Sequence, residues 1–487
     1  MLIKRSFTKE IIIFALVGAT LLYIYNYYSL PFEGIREHIS SHGSQNYRRS
    51  HDVCIPETFE STITIINGKE RLAPQNAFIF PPLSEDLKCL PLKDGKLTNT
   101  FMSSSSFGLI PPKSSEWNET VHEVAMYVAK KDTLRSMTRP TMQPESDKLM
   151  CERKDATKEF ARFLCDADMN DEEPHKFTYL THHAGSRIWL SYIDCGYADF
   201  GSNQPICTQA LYNEKGHITQ QTSNIREGEP IIDYEQLGVI PVVCYSEAYG
   251  HWPTEIIHKL IFMWNTLPKG VPLLVPKGTY PHFQLLLDEG VLDRSCREAI
   301  KQNDTTSRAR RMWFLKPEDE KPIAAISAHN HFVYRYARQV YRDYLSKRAN
   351  HNENTIVIIR RPNTRAFKNF DEIHKAISDK YSSKYKIIVF QPKGSFLDQG
   401  MVFYNAKLVV AAHGAGLSNQ MFMQEGSSLI EIGPLSTDMP LPSMYYGIAQ
   451  ALKIKYHLML TPGQIYGGDL SPDIDEVMRN VEASLKN

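Results

Sequence analysis

The chain has 487 residues, with 55 Lys and Arg balanced by 55 Asp and Glu, so its formal net charge is zero and no basic excess drives nucleic-acid binding. Its 42% hydrophobic and 23% charged residues exclude a largely disordered chain, and its scattered Gly and Pro exclude collagen-like or low-complexity architecture. The length predicts about three domain-sized pieces, and no repeat of solenoid or propeller period is visible.

In chain order, residues 1–10 carry Lys4, Arg5 and Lys9 and read as a cytoplasmic tail. Residues 11–32 then run uncharged from Ile11 to Phe32, longer than the ~18-residue threshold for a membrane span. Tyr23, Tyr25, Tyr27 and Tyr28 cluster at its far end, where amphipathic rings favour the membrane interface. Cleavage after Val17-Gly18-Ala19 would leave only Ile11–Leu16 as an apolar core, shorter than the ~7–15 residues of a signal peptide. The expectation is a single-pass type II signal anchor with the bulk of the chain in the lumen of the Golgi or endoplasmic reticulum.

Polar residues 33–50 read as a stem. The eight cysteines, Cys54, Cys89, Cys151, Cys165, Cys195, Cys207, Cys244 and Cys296, all precede residue 300. An even set in a lumenal chain points to disulfides, although ~105 pairings are open. No CxxC pair or Cys-His cluster spaced for zinc occurs. Asn118 and Asn303 open sequons and are expected to carry glycans. Residues 51–230 have a mixed pattern with short strand-like runs at 62–66 and 77–80.

Beyond residue 230 the pattern becomes regular. Apolar runs at 239–244, 271–275 and 312–315 alternate with helical stretches at 252–265 and 281–289, and this alternation argues for a parallel sheet with crossover helices. The alternation is cleaner later: strands are predicted at 355–359, 386–390, 408–412, 429–432 and 456–460, with helices at 370–381, 396–406, 417–423, 443–452 and 473–485. Nearly continuous apolar runs such as Leu408–Ala412 are typical when helices cover both sheet faces. The fold class is therefore α/β, with a doubly wound C-terminal domain. Residues 51–345 are expected to form an N-terminal lobe and 346–487 a C-terminal one.

Three segments carry chemistry. The strand Leu408–Ala412 runs into His413-Gly414-Ala415-Gly416 and then Ser418-Asn419. Glycines let the backbone approach a ligand, and the following helix start offers amide N–H groups and positive partial charge. The strand 355–359 is followed by Arg360, Arg361 and Arg365, and guanidinium groups there suit a diphosphate. Tyr249-Gly250-His251-Trp252-Pro253-Thr254-Glu255 places His251 and Glu255 four residues apart on one helical face, a workable general base with a carboxylate partner. Asp166-Ala167-Asp168 has the form of a metal-nucleotide motif, but it continues into Asn170-Asp171-Glu172-Glu173 and reads as a solvated acidic turn.

Taken together, VVAAHGAGLSNQMFMQEGSSLIEIG, the preceding RRPNTR, and YGHWPTEIIHKL resemble the family 61 glycosyltransferases over roughly residues 239–460. That family includes plant β-1,2-xylosyltransferases and enzymes adding N-acetylglucosamine to EGF domains and to O-mannose. The resemblance implies a GT-B architecture, two Rossmann-like lobes facing across a cleft, and inverting transfer from a UDP-sugar to a glycan or glycoprotein hydroxyl. It assigns Arg361 and Arg365 to the diphosphate, and His413, Gly414, Ala415, Gly416, Ser418 and Asn419 to the donor loop. It assigns Glu431 to ribose or nucleotide, and His251 and Glu255 to the reacting carbon, with His251 as the base and Glu255 orienting it or acting itself. No metal and no cofactor beyond the donor are required. N-acetylglucosamine and xylose lead as the transferred sugar, with arabinose open. The alternative is a catalytically silent carbohydrate- or nucleotide-binding relative. A hydrolase would need a G-x-S-x-G elbow, which AHGAGLSN does not supply.

Overall fold

A computed structural model describes residues 62–66, 69–73, 83–85, 122–128, 141–142, 187–200, 209–212, 231–240, 247–302, 306–317, 330–349, 354–435, 444–463 and 468–486. All of these fall in the compact unit His51–Asn487. The expected tail, anchor and stem lie outside the described residues, as do Asn118, Asn303, Asp166-Ala167-Asp168, the strand-like run 77–80 and every cysteine except Cys195 and Cys296. Each of the two takes part in a disulfide. Among the described residues no helix is long and apolar enough to cross a membrane.

Two sheets organise the described residues. The first contains β1 (Thr62–Ile66), β2 (Lys69–Ala73), β3 (His122–Val128), β5 (Arg187–Phe200), β6 (Gln209–Tyr212), β7 (Ile231–Gly238), β8 (Leu273–Val275), β9 (Ala299–Lys301) and β10 (Thr306–Pro317). Its order is β2-β1-β3-β5-β10-β7-β8-β9, with β6 also on β5. The β10-β7-β8-β9 side is parallel. It is crossed by α1 (Ile257–Thr266) and α2 (Tyr280–Asp288), as the alternation predicts. The β5 side is antiparallel, so the sheet is mixed rather than uniformly Rossmann-like. β7 ends at Gly238, just before the apolar run at 239–244, of which only residues 239 and 240 are among the described residues; Val239 adds one backbone bond to Trp313, at 2.9 Å.

Both faces of this sheet are covered, because successive strand residues point to opposite sides. Trp313 and Leu315 enter the large core that also holds α1, whereas Met312 and Phe314 pack with Leu237, Val239 and Leu274 on the other face.

The second sheet has order β12-β11-β13-β14-β15-β4, from β4 (Thr141–Met142), β11 (Thr355–Ile359), β12 (Lys386–Phe390), β13 (Ala406–Ala412), β14 (Ser428–Leu435) and β15 (Lys455–Pro462). Every neighbouring pair is parallel. Ile356, Ile358, Val410 and Ile432 pack beneath α4 (Phe370–Tyr381) and α7 (Ile474–Leu485). Val357, Val409, Ala411 and Leu429 face the opposite layer of α3 (His331–Leu345), α5 (Phe396–Tyr404) and α6 (Met444–Ala451). The sheet is thus doubly wound, as its unbroken apolar strands predict. Two elements from before residue 346, α3 and β4, belong to its layers.

Arg297 ties α1 to the first sheet. Its buried guanidinium donates to the carbonyls of Trp264 (2.7 Å), Leu267 (2.8 Å), Pro268 (3.0 Å) and Val271 (3.0 Å). Burial pushes it down to about 9, yet it stays charged at neutral pH. Arg297→Met would strand these carbonyls without donors, at about 1–3 kcal/mol for a buried group losing its partner. Denaturant titration is expected to show a loss of at least about 3 kcal/mol; a loss below about 1 kcal/mol would contradict this role.

Candidate functional site

The β12-β11-β13-β14-β15 order reverses direction between β11 and β13. Chains leaving the carboxyl ends of these two strands diverge to opposite sides of the sheet and leave a crevice, where open α/β sheets bind ligands. β11 delivers Arg360 and Arg361 to that crevice, and β13 delivers His413 and Gly414.

The two arginines part company. Arg360 lies over the Phe370 ring, 4.6 Å from its centroid, and pairs with Asp371 at 3.2 Å. Arg361 turns toward the glycine loop: its Nε donates to the Thr364 carbonyl (3.0 Å), and a Cβ built on Gly414 would stand 1.7 Å from its Nη1. Gly414 also has φ 153°. L side chains rarely adopt that conformation, and an added Cβ would oblige the guanidinium to move. Arg365 closes the turn in the left-handed region (φ 62°), its N–H bonded to the Gly468 carbonyl at 2.9 Å.

After Gly414 the chain forms a 3₁₀ segment, Ala415–Phe422, where an α-helix is expected. The tighter winding buries Ser418 and Asn419, and Asn419 Nδ2 donates back to the Gly416 carbonyl (3.1 Å). His413 is buried, its Nδ1 donating to Glu431 Oε1, while the Tyr456 hydroxyl donates to Glu431 Oε2 at 2.6 Å. Glu431 is 0% exposed. The ribose or nucleotide contact expected of it therefore gives way to a supporting position behind His413, since both its oxygens are already engaged.

His251 approaches from the other sheet's side. Its turn reaches the glycine loop at Gly250 (φ 127°), where an added Cβ would lie 3.2 Å from Ala415 Cβ. His251 Nδ1 is 2.8 Å from Glu255 Oε1, with His251 36% exposed and Glu255 6%. The shared face is built by one turn of π-helix, Trp252–Ile256, in which the Ile257 N–H reaches back to the Trp252 carbonyl. Single π-turns of this kind recur at functional sites. Trp252 anchors the turn by stacking on His282 at 3.9 Å and 6°. The structure thus brings His251 to Glu255, the two that the sequence places on one helical face, and lays Arg361 against Gly414.

Several neighbours escaped it. The Tyr249 hydroxyl lies 2.8 Å from Gln399 Oε1 and 3.2 Å from Asn419 Oδ1, linking the His251 turn to the loop. Tyr445 packs its ring edge on His413 at 5.4 Å. Burial and Glu431 raise its hydroxyl, opposed by Arg361 and Arg365, so it remains a neutral donor beside them. Lys259, one further helical step from Glu255, is buried; burial pushes it down to about 8 against the pull of Glu255. Tyr249 and Lys259 lie inside the segment YGHWPTEIIHKL but carry no role in the sequence reading; Gln399 and Tyr445 lie outside the segments that carry chemistry. Among the described residues no group of three or more His, Cys, Asp or Glu is arranged to hold a metal ion.

The crevice thus has a guanidinium over a glycine loop and a His–Glu pair opposite. In comparison with known proteins, residues 249–430 match the model of glycosyltransferase family 61, which supports a glycosyltransferase. The matched span opens on Tyr249 and includes every predicted donor and base residue except Glu431. No curated protein sequence matches. Among solved structures, E. coli heptosyltransferase WaaC with ADP is similar at 9% identity over 51% of this chain and 99% of that chain. Its TM-score of 0.26 is too low to carry a structural argument.

Two outcomes follow from this geometry. In Gly414→Ala the new Cβ displaces Arg361, and UDP affinity measured by calorimetry is expected to fall about tenfold or more, which is about 1.4 kcal/mol; unchanged affinity would contradict the placement of Arg361. Separately, burial holds His282 down at about 4, below its usual value of 6.5, and lowers His258 well below that value. The unfolded chain then binds more protons as pH falls below about 6.5, so the stabilisation present above that pH is lost on the way to about 4. The melting temperature is expected to drop between pH 7 and 5, less steeply in His282→Phe; equal slopes would remove His282 from this account.

Proposed function

We propose that the protein is an inverting, UDP-sugar-dependent glycosyltransferase of GT-B architecture, working on a glycan or glycoprotein hydroxyl. The observation that carries the reading is the Arg361 guanidinium laid over Gly414 at the strand-order reversal, with the His251 turn against Ala415. A diphosphate in that crevice meets guanidinium charge, together with the amides that open the 3₁₀ segment, which have no intrahelical acceptor. Arg365 and the buried Tyr445 hydroxyl add to the same pocket of donors.

Chemically, the acceptor oxygen attacks the anomeric carbon as the bond from that carbon to the diphosphate oxygen breaks on the opposite face. Because the Glu255 carboxylate accepts from His251 Nδ1, Nε2 is left with the lone pair that takes the acceptor proton. The more exposed His251 is thus the base, and the buried Glu255 orients it and balances the imidazolium formed. Charge developing on the departing UDP is met by Arg361, Arg365 and loop amides already in place, so no metal is required. His413, held by Glu431 and Tyr456, lines the donor side.

The donor is a UDP-sugar, with N-acetylglucosamine or xylose favoured by the family. The apolar stretch 11–32 and the disulfide-bonded Cys195 and Cys296 support a type II membrane enzyme with its catalytic part in the lumen of the Golgi or endoplasmic reticulum.

The test is UDP release by the protein from residue 51 onward, over a panel of UDP-sugars, with and without EDTA. Release from one donor, insensitive to EDTA and reduced at least about 100-fold in both Arg361→Ala and His251→Ala, is the expected result. UDP binding without turnover from any donor and acceptor would favour the silent relative. Absence of UDP binding would overturn the reading.

A further inference from the structure

The π-turn that carries His251 and Glu255 is held from behind by α3. The Tyr334 hydroxyl donates to the Thr254 carbonyl inside the turn, and the Thr254 hydroxyl donates to the carbonyl of Gly250, the residue packed on Ala415. Tyr334 is 0% exposed and stacks on His258 at 4.1 Å and 23°. His258 has no hydrogen-bond partner on either ring nitrogen among the described residues, and burial keeps it neutral, so this stack carries no charge.

The next turns of α3 grip the other layer. Arg335 donates to the Ala451 carbonyl (2.6 Å) and Arg338 to that of Leu452, both at the end of α6. Arg342 donates to Tyr404 (3.2 Å), at the end of α5, and to Phe422 (2.9 Å), the last residue of the 3₁₀ segment. Cations at helix carboxyl ends are favourably placed against the negative end of each dipole. These contacts form a closed path: Ala415 against Gly250, Gly250 to Thr254, Thr254 to Tyr334, along α3 to Arg342, and back to Phe422. The donor loop is therefore gripped at both ends by this frame, and the Tyr334 hydroxyl is the hydrogen bond that joins the base-bearing turn directly to α3.

We infer that Tyr334 is a positioning residue: its hydroxyl fixes the π-turn on α3 and so sets where His251 stands relative to the donor loop. This rests on the catalytic reading of His251 given above. Displacing a reacting group by about 1 Å costs on the order of 100-fold in rate, whereas ligand contacts outside the displaced turn are untouched. A split between turnover and donor binding is thus the signature.

The experiment compares Tyr334→Phe, which keeps the ring, with the full chain, by hydrogen–deuterium exchange, UDP affinity and steady-state kinetics. Exchange at 250–257 is expected to rise about tenfold while that at 413–422 and the UDP Kd stay within about twofold, and kcat to fall about 10- to 100-fold with donor KM unchanged. Unaltered exchange at 250–257 overturns the inference. So does unaltered kcat, or a loss of UDP affinity matching the loss of kcat, which would mark general loosening. Thr254→Val, cutting the next link, is expected to show the same split should Tyr334→Phe fold poorly; a fall in UDP affinity instead would count against the path. If the wild type turns over no UDP-sugar, the catalytic reading fails, and exchange at 250–257 alone decides whether Tyr334 holds the turn.

Discussion

The site depends on the absence of a side chain at Gly414. At the point where the strand order reverses, the β13 backbone must pass beneath the Arg361 guanidinium with no Cβ between them. That approach lets charge on one loop and amides on the next converge on the same volume. It also lets the following residue, Ala415, come up against Gly250 and bring in the His251 turn. Both close approaches, Arg361 over Gly414 and Gly250 on Ala415, are made at glycine, one on each side of the crevice.

Two His–Glu pairs face that crevice, one from each layer, and they are built alike. In each, a buried carboxylate accepts from Nδ1: Glu255 from His251 and Glu431 from His413. An acceptor-only carboxylate there fixes the tautomer and ring orientation and leaves Nε2 for chemistry or ligand. The pairs differ in access. His251 is 36% exposed and suits an acceptor arriving from solvent, whereas His413 is 7% exposed and backed by Tyr456 and Tyr445. That asymmetry supports the first as base and the second as part of the donor pocket.

Much of this was legible in the sequence where the physics is local. Unbroken apolar runs located β11 and β12 to the residue, and the helical spacing of Phe370, Ile373 and Ile377 located α4, because strands and helices of a doubly wound layer must bury their own faces. The glycine loop and the His251–Glu255 spacing were legible for the same reason. Long-range pairing was not: nothing in Arg187–Phe200 announces an antiparallel ladder to Thr306–Pro317 more than a hundred residues away. The role of Glu431 was misread because a carboxylate ending an apolar strand looks ligand-facing until its two partners, Tyr456 and His413, are known. Tyr334 sits in an aromatic-rich amphipathic helix, where its hydroxyl is indistinguishable from those of its packed neighbours. The 3₁₀ segment Ala415–Phe422 meets Tyr249 and Gln399 through Asn419, long-range contacts that composition does not encode.

The most direct measurement is a crystal structure of the protein soaked with UDP. The account predicts diphosphate oxygens within hydrogen-bonding distance of the Arg361 guanidinium and the amides that follow Gly414, with His251 Nε2 facing the open side of the β-phosphate. UDP seated away from the β11–β13 crevice, or bound there with His251 turned from the phosphate, would contradict it.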